Sequence, residues 1–188
     1  MEIYLIRHTA PDIEKGVCYG QSDLNLKSNY TEEFEAVLNQ IQLKKDFKVI
    51  SSPLKRCVLL AKRFSNHITL DDRLKELNFG DWELNPWNDI PEKDINPWMA
   101  DFVNVAVPNG ESYVELASRV DDFFESITHS KNNQNLIVIS HAGPIRVVLS
   151  KLLKLPLKDS FSIKINYGDV FHLKKENESL KLITEINL

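Results

Sequence analysis

Ile3-Tyr4-Leu5-Ile6, closed at once by Arg7-His8, is the stretch on which the fold turns. Four residues of nearly unbroken apolar character read as a strand buried on both faces, the pattern of a parallel sheet covered by helices. Two later stretches repeat the design. Phe47 to Ile50 ends in Ser51-Ser52-Pro53, and Leu136 to Ile139 ends in Ser140-His141-Ala142-Gly143. Each is followed by helical spacing. Leu54 to Phe64 sets Leu54, Val58 and Ala61 on one face, and Pro144 to Leu153 gives the second helix.

Working outward, Thr31 to Leu43 carries Phe34, Val37, Leu38 and Ile41 at helical intervals. Ser112-Tyr113-Val114-Glu115 matches a capping box and predicts a helix to about Thr128. Ile68 to Leu70 reads as a short strand. Ser162 to Ile165, Val170 to Leu173 and Leu180 to Ile186 read as edge strands. His8 to Leu26, with Pro11, Gly16 and Gly20, is a loop long enough to carry function. Residues 80–110 hold four prolines and all three tryptophans, which marks an irregular, partly helical insertion. The expected fold is therefore α/β: a three-layer sandwich whose central, largely parallel sheet is flanked by helices. One domain over residues 1–188 is expected, with the insertion at about 81–110 covering the active site.

The chain of 188 residues has an ordinary globular composition and a formal net charge of −4. That charge argues against nucleic acid as the main partner, because backbone phosphates demand a basic face. It leaves room for a small anionic substrate, since local arginines can dominate one cleft. Two cysteines, Cys18 and Cys57, fit a reducing compartment better than a disulfide framework. The apolar run at the start is too short for a secretory signal, and no stretch is long enough to span a bilayer. A cytoplasmic protein without membrane contact is expected. A homodimer is an assembly the sequence leaves open.

Three strand ends carry the chemistry: Arg7-His8, Ser52 with Arg56 one turn beyond, and His141. Open parallel sheets bind ligands at the carboxyl ends of their strands, where helix N-termini add N–H donors for an anion. Taken singly, each residue is more often a cap, a core group or a solvated charge. Together they bring two histidines and two arginines to one place. Two histidines with a carboxylate also suit a metal. The two arginines beside them oppose a divalent ion, so no metal and no cofactor is expected, and activity should survive a chelator.

These residues carry a resemblance. Arg7-His8-Thr9, Ser51-Ser52-Pro53-Leu54-Lys55-Arg56 and Ser140-His141-Ala142-Gly143-Pro144-Ile145-Arg146 resemble the signatures of the histidine phosphatase superfamily, the phosphoglycerate-mutase-like enzymes. Leu74 to Glu83 is similar to its L-x-E-x-x-F-G-x-W-E block, and Pro108-Asn109-Gly110-Glu111-Ser112 to its P-x-G-E-S motif. The matches stand in family order from residue 3 to about 150. Two departures stand out: Thr9-Ala10 replaces the usual Gly-Glu, and Leu84 replaces a usual Gly after Trp-Glu. The first bears on how the backbone beside His8 is shaped, because Gly tolerates conformations Thr does not, and the second lies in the insertion and so bears on substrate choice.

The resemblance implies a phosphomonoesterase acting on small molecules through a phosphohistidine. His8 would attack phosphorus, Arg7 and Arg56 would clamp the phosphoryl oxygens in bidentate fashion, and His141 would add a hydrogen bond. Glu76 would protonate the leaving group. Thr9, Gln21, Ser52 and Ala142 are further candidate phosphate ligands, although Thr9 and Ser52 equally suit a turn or cap. Val17 to Leu26, with Cys18-Tyr19-Gly20 and Asp23, looks like a segment of the α-ribazole phosphatase branch, which serves cobalamin assembly. Trp82, Trp87 and Trp98 suit either a stacking surface or the core of the insertion. A broad-range or sugar phosphatase, a phosphoglycerate mutase and a non-catalytic phosphate-binding module are the alternatives.

Overall fold

The computed structural model describes residues 1–41 and 47–186. The strands are β1 (Glu2–Arg7), β2 (Phe47–Ser51), β3 (Ile68–Leu70), β4 (Asn135–Ser140), β5 (Val170–Glu176) and β6 (Ser179–Leu182). The helices are α1 (Tyr30–Asn39), α2 (Lys55–Ala61), α3 (Glu92–Ala100), α4 (Tyr113–Thr128) and α5 (Ala142–Leu152). Six strands form one sheet in the order β3-β2-β4-β1-β5-β6. The pairs β3/β2, β2/β4 and β4/β1 are parallel, whereas β5 and β6 join antiparallel at the other side.

Alternation along the central strands builds two cores. Ile3, Leu5, Ile50, Leu136 and Val138 pack with Leu116, Val120 and Phe123 of α4 and Leu149 of α5. Ile6, Val49, Ile137 and Ile139 face the other way, onto Phe34 and Val37 of α1 and Cys57, Leu60 and Ala61 of α2. The three layers follow from this, and the continuous apolar run of β1 is the trace of burial on both faces. Each such side chain contributes roughly 1.5–3 kcal/mol, so β1 is strongly held.

Register then decides what lies together. Arg7 pairs with Ser140, and Ser51 with Ile139, so β1, β2 and β4 end level. The next residues stay tied across the sheet: the His8 amide donates to the Ser140 carbonyl at 3.0 Å and the Ser52 amide to the Ile139 carbonyl at 2.9 Å.

Several expectations need correction. Ser162 to Ile165 is no strand: Leu157–Ser162 is a 3₁₀ turn, and Ile163 and Ile165 reach the core from a loop. Their alternation copies a strand because every second side chain is buried. The segment from Val170 is not an edge, since β5 lies between β1 and β6. The edge strand on that side, β6, ends at Leu182. The first helix stops at Asn39, and residues 42–43 of its expected span lie outside the described residues. The capping box is present, with the Ser112 and Glu115 side chains each accepting from the other's amide.

The insertion is built as expected, from 3₁₀ turns around α3. Cys18, Trp82, Ile90 and Val107 form its buried centre. Trp87 and Trp98 stack on each other at 5.9 Å, and both pack edge-on to Trp82. The tryptophans therefore make the insertion's own core.

Candidate active site

His8, at the end of β1, is 1% exposed. Its Nδ1 lies 2.7 Å from the Thr9 carbonyl. A carbonyl only accepts, so Nδ1 carries the proton and Nε2 keeps its lone pair. Burial first, then the charges of Arg56 and Arg7, hold the imidazole well below its usual range. It is a neutral base at physiological pH.

Arg56 is the second residue of α2, in the first turn of the helix rather than one turn into it, and is fully buried. Its Nε–H faces both His8 Nε2 and His141 Nδ1 at 3.3 Å, while its Nη atoms donate to the Ser22 and Gly20 carbonyls at 2.8 and 2.5 Å. No carboxylate pairs with it among the described residues, so its charge stays available to an anion. Arg7 donates to the Ile165 carbonyl at 2.7 Å and lies 3.8 Å from the Tyr167 ring centre. Arg7 Nε and Thr9 Oγ1 are buried without a partner. Unpaired buried donors are costly, and both sit beside His8.

His141 caps the start of α5 with its ring centre 4.9 Å from that of His8. Its Nε2 is 2.8 Å from Ser52 Oγ. Burial and the charge of Arg56 also hold it well below the usual histidine range. Ser52 therefore orients the second histidine. Cys57 Sγ approaches the same ring at 3.4 Å, and burial pushes its thiol up to about 12, which leaves it a packing group.

Glu76 reaches the site from the turn after Leu74. The Gly143 amide approaches its carboxylate at 3.1 Å and the Leu77 amide at 2.9 Å. A Cβ on Gly143 would sit 2.2 Å from Glu76 Oε1, so only glycine lets the carboxylate rest on the first turn of α5. Arg119 of α4 fixes the backbone, donating to the Arg73, Lys75 and Glu76 carbonyls at 2.7–2.9 Å. Ala142 opens α5, where an amide has no acceptor within the helix. Gln21 is spent elsewhere: its side chain donates to the Glu76 carbonyl at 3.1 Å.

Thr9 does not have the left-handed backbone that would need glycine, whereas Leu84 does, at φ +66°. The first departure from the family pattern thus puts no left-handed strain on the chain, and the second does. Sequence reasoning missed Arg119, Tyr167 and the carbonyls of residues 20–22; no motif marks the first two, while Gly20 signals the last. Among the described residues, no cluster of three potential metal ligands occurs, and no helix is long and apolar enough to cross a membrane.

Residues 3–187 match the model of the histidine phosphatase superfamily, branch 1. The chain belongs to this superfamily. Phosphatase activity toward small phosphorylated compounds follows from that membership. Within the superfamily, the chain is 25% identical over 182 residues to the adenosylcobalamin/α-ribazole phosphatase of Escherichia coli K12, covering 89% of this chain and 87% of that one. It is also 25% identical over 193 residues to phosphoserine phosphatase 1 of Hydrogenobacter thermophilus, covering 97% and 92%. The crystal structure of the α-ribazole phosphatase from Shigella flexneri superposes with a TM-score of 0.86 at 20% identity, covering 97% and 94%.

Proposed function

We propose that the protein hydrolyses a phosphate monoester through a phosphohistidine on His8, with α-ribazole 5′-phosphate as its first candidate substrate. The observation that carries the chemistry is the buried, neutral His8, its Nδ1–H held on the Thr9 carbonyl and its unprotonated Nε2 accepting from Arg56 Nε–H at 3.3 Å, a contact the phosphate would replace. A ring fixed this way presents its lone pair without the cost of losing a proton first.

The Nε2 lone pair forms the bond to phosphorus as the ester P–O bond breaks. Arg7 and Arg56 hold the equatorial oxygens, where charge accumulates, and Thr9 Oγ1 and Arg7 Nε gain the acceptors they lack. When the phosphate displaces the contact between Arg56 Nε–H and His141 Nδ1, His141 donates from Nδ1 in the tautomer whose Nε2 accepts from the Ser52 hydroxyl. Glu76, entering as the acid, gives its proton to the leaving alkoxide. It then takes a proton from water as that water attacks phosphorus, the N–P bond breaks, and the electron pair returns to Nε2. No step calls on a metal.

The Val17–Leu26 segment and the α-ribazole phosphatases among the relatives support that ester. The phosphoserine phosphatase of equal identity supports phosphoserine as the second. Phosphate release from p-nitrophenyl phosphate, α-ribazole 5′-phosphate, phosphoserine, a sugar phosphate and 3-phosphoglycerate, with EDTA present, tests both levels. A preference for the ribazole ester, lost in His8→Ala, is expected. Equal rates on all esters would discard the substrate, and full activity in His8→Ala would discard the mechanism.

A further inference from the structure

Arg56 is held by main-chain oxygens, and the question is what holds those oxygens. The Gly20–Gln21 peptide group supplies the answer. Its carbonyl accepts from Arg56 Nη2 at 2.5 Å, while its N–H donates to Glu83 Oε1 at 2.8 Å. One planar peptide thus has the arginine on one side and a carboxylate on the other. Glu83 also accepts from the Ser22 amide at 2.6 Å, the Ser22 hydroxyl and the Phe79 amide at 3.1 Å. Burial pushes its carboxyl up, but these four bonds outweigh burial and hold it below the usual carboxylate range.

The fit around the peptide is close. A Cβ on Gly20 would stand 1.9 Å from the Leu77 carbonyl oxygen and 2.8 Å from Glu83 Oε1. The neighbouring chain is laced to the insertion as well: the Cys18 amide donates to the Asn85 carbonyl and the Leu84 amide to the Cys18 carbonyl, both at 2.8 Å. Glu83 follows Trp82, the buried centre of the insertion core.

We propose that Glu83 is a positioning residue that orients the Arg56 guanidinium through the Gly20–Gln21 peptide. This rests on the phosphatase reading above. A carboxylate paired directly with Arg56 would compete with the substrate phosphate. Set one peptide back, the same charge polarises the carbonyl that receives the arginine and leaves its phosphate-facing donors free. It also ties the clamp to the insertion, so the element that differs most from the sheet scaffold still sets the geometry of the phosphate end.

The test is a double-mutant cycle of Glu83→Gln with Arg56→Lys, read by calorimetric binding of inorganic phosphate and by kcat and KM on p-nitrophenyl phosphate. With Arg56 intact, Glu83→Gln is expected to weaken phosphate binding about 10- to 100-fold. In the Arg56→Lys background, where no fork can use both carbonyls, the loss is expected to shrink to about 3-fold or less. Glu83→Asp should restore part of the binding. Equal losses in both backgrounds would overturn the proposal, as would unchanged phosphate binding with a lowered melting temperature. Should Glu83→Gln fail to fold, Ser22→Ala removes one donor to Glu83 and enters the same cycle, with a smaller loss that must again vanish in the Arg56→Lys background. Phosphate binding is measured without turnover, so the result stands apart from failure of the phosphohistidine mechanism.

Discussion

The two ends of the site are built differently. At the phosphate end, His8, Arg56 and His141 are at most 1% exposed and sit on strand or helix termini whose register is fixed across the sheet. At the ester end, Glu76 lies half-buried on a loop, held by the Gly143 and Leu77 amides and by Arg119 through its backbone. The first end needs three strands that stop level and, for Arg56, the Gly20 and Ser22 carbonyls that receive its guanidinium. The second needs packing between a loop, α4, α5 and the insertion. The groups proposed to handle the phosphoryl group thus rest largely on the sheet, while the proposed acid rests on a loop.

Breaking the phosphate end should hurt every ester alike. His8→Ala is expected to lower kcat by roughly 10⁴-fold or more on all substrates, since it removes the proposed nucleophile. Arg56→Lys should cost about 10²–10³-fold, again with little regard to the leaving group, because the bidentate fork is lost. Breaking the ester end should discriminate. Glu76→Gln is expected to cost about 10²–10³-fold on alkyl phosphates and far less on p-nitrophenyl phosphate, whose leaving group needs no proton. An equal loss on both esters would place Glu76 outside general acid catalysis.

The two buried histidines predict a pH effect on stability. Each titrates near 6.5 in the unfolded chain and well below that in the fold. Between those values the unfolded chain binds more protons, so stability falls as pH drops below about 6.5. The slope reaches at most about 1.4 kcal/mol per pH unit per histidine. Denaturant unfolding between pH 7 and 5 should show this loss, and His8→Ala should make the slope shallower. A flat profile would contradict neutral burial.

The smallest expected effect lies in the insertion. Leu84 is exposed and left-handed, at φ +66°. Leu84→Gly should stabilise the fold by about 0.5 kcal/mol, the relief of left-handed strain less the added freedom of an unfolded glycine. A lower melting temperature would show that Leu84 makes a packing contribution that outweighs its strain.

The same contrast explains what was legible in the sequence. β1, β2 and β4 could be read because burial on both faces leaves continuous apolar runs. Of the proposed catalytic groups, His8 and His141 could be read because each directly follows such a run, whereas Arg56 lies within the next helix and Glu76 follows a 3₁₀ turn. Arg119 and Tyr167 could not, since the contacts that tie them to the site reach 43 or more residues along the chain, as with Tyr167 and Arg7 or Arg119 and Glu76. Ile163 and Ile165 misled because burial in a loop copied the period of a strand. At Leu84 the departure from the family pattern was legible only as a change in the insertion, and the left-handed backbone there was not.

The central claim is the covalent intermediate, and trapping it is the most direct test. The enzyme would be mixed with p-nitrophenyl phosphate, quenched within milliseconds into alkali, digested and analysed by mass spectrometry. One phosphoryl group on the peptide carrying His8, labile to acid and absent from His8→Ala, is the predicted result. Phosphate release at full rate with no label on His8 at any quench time would contradict the account.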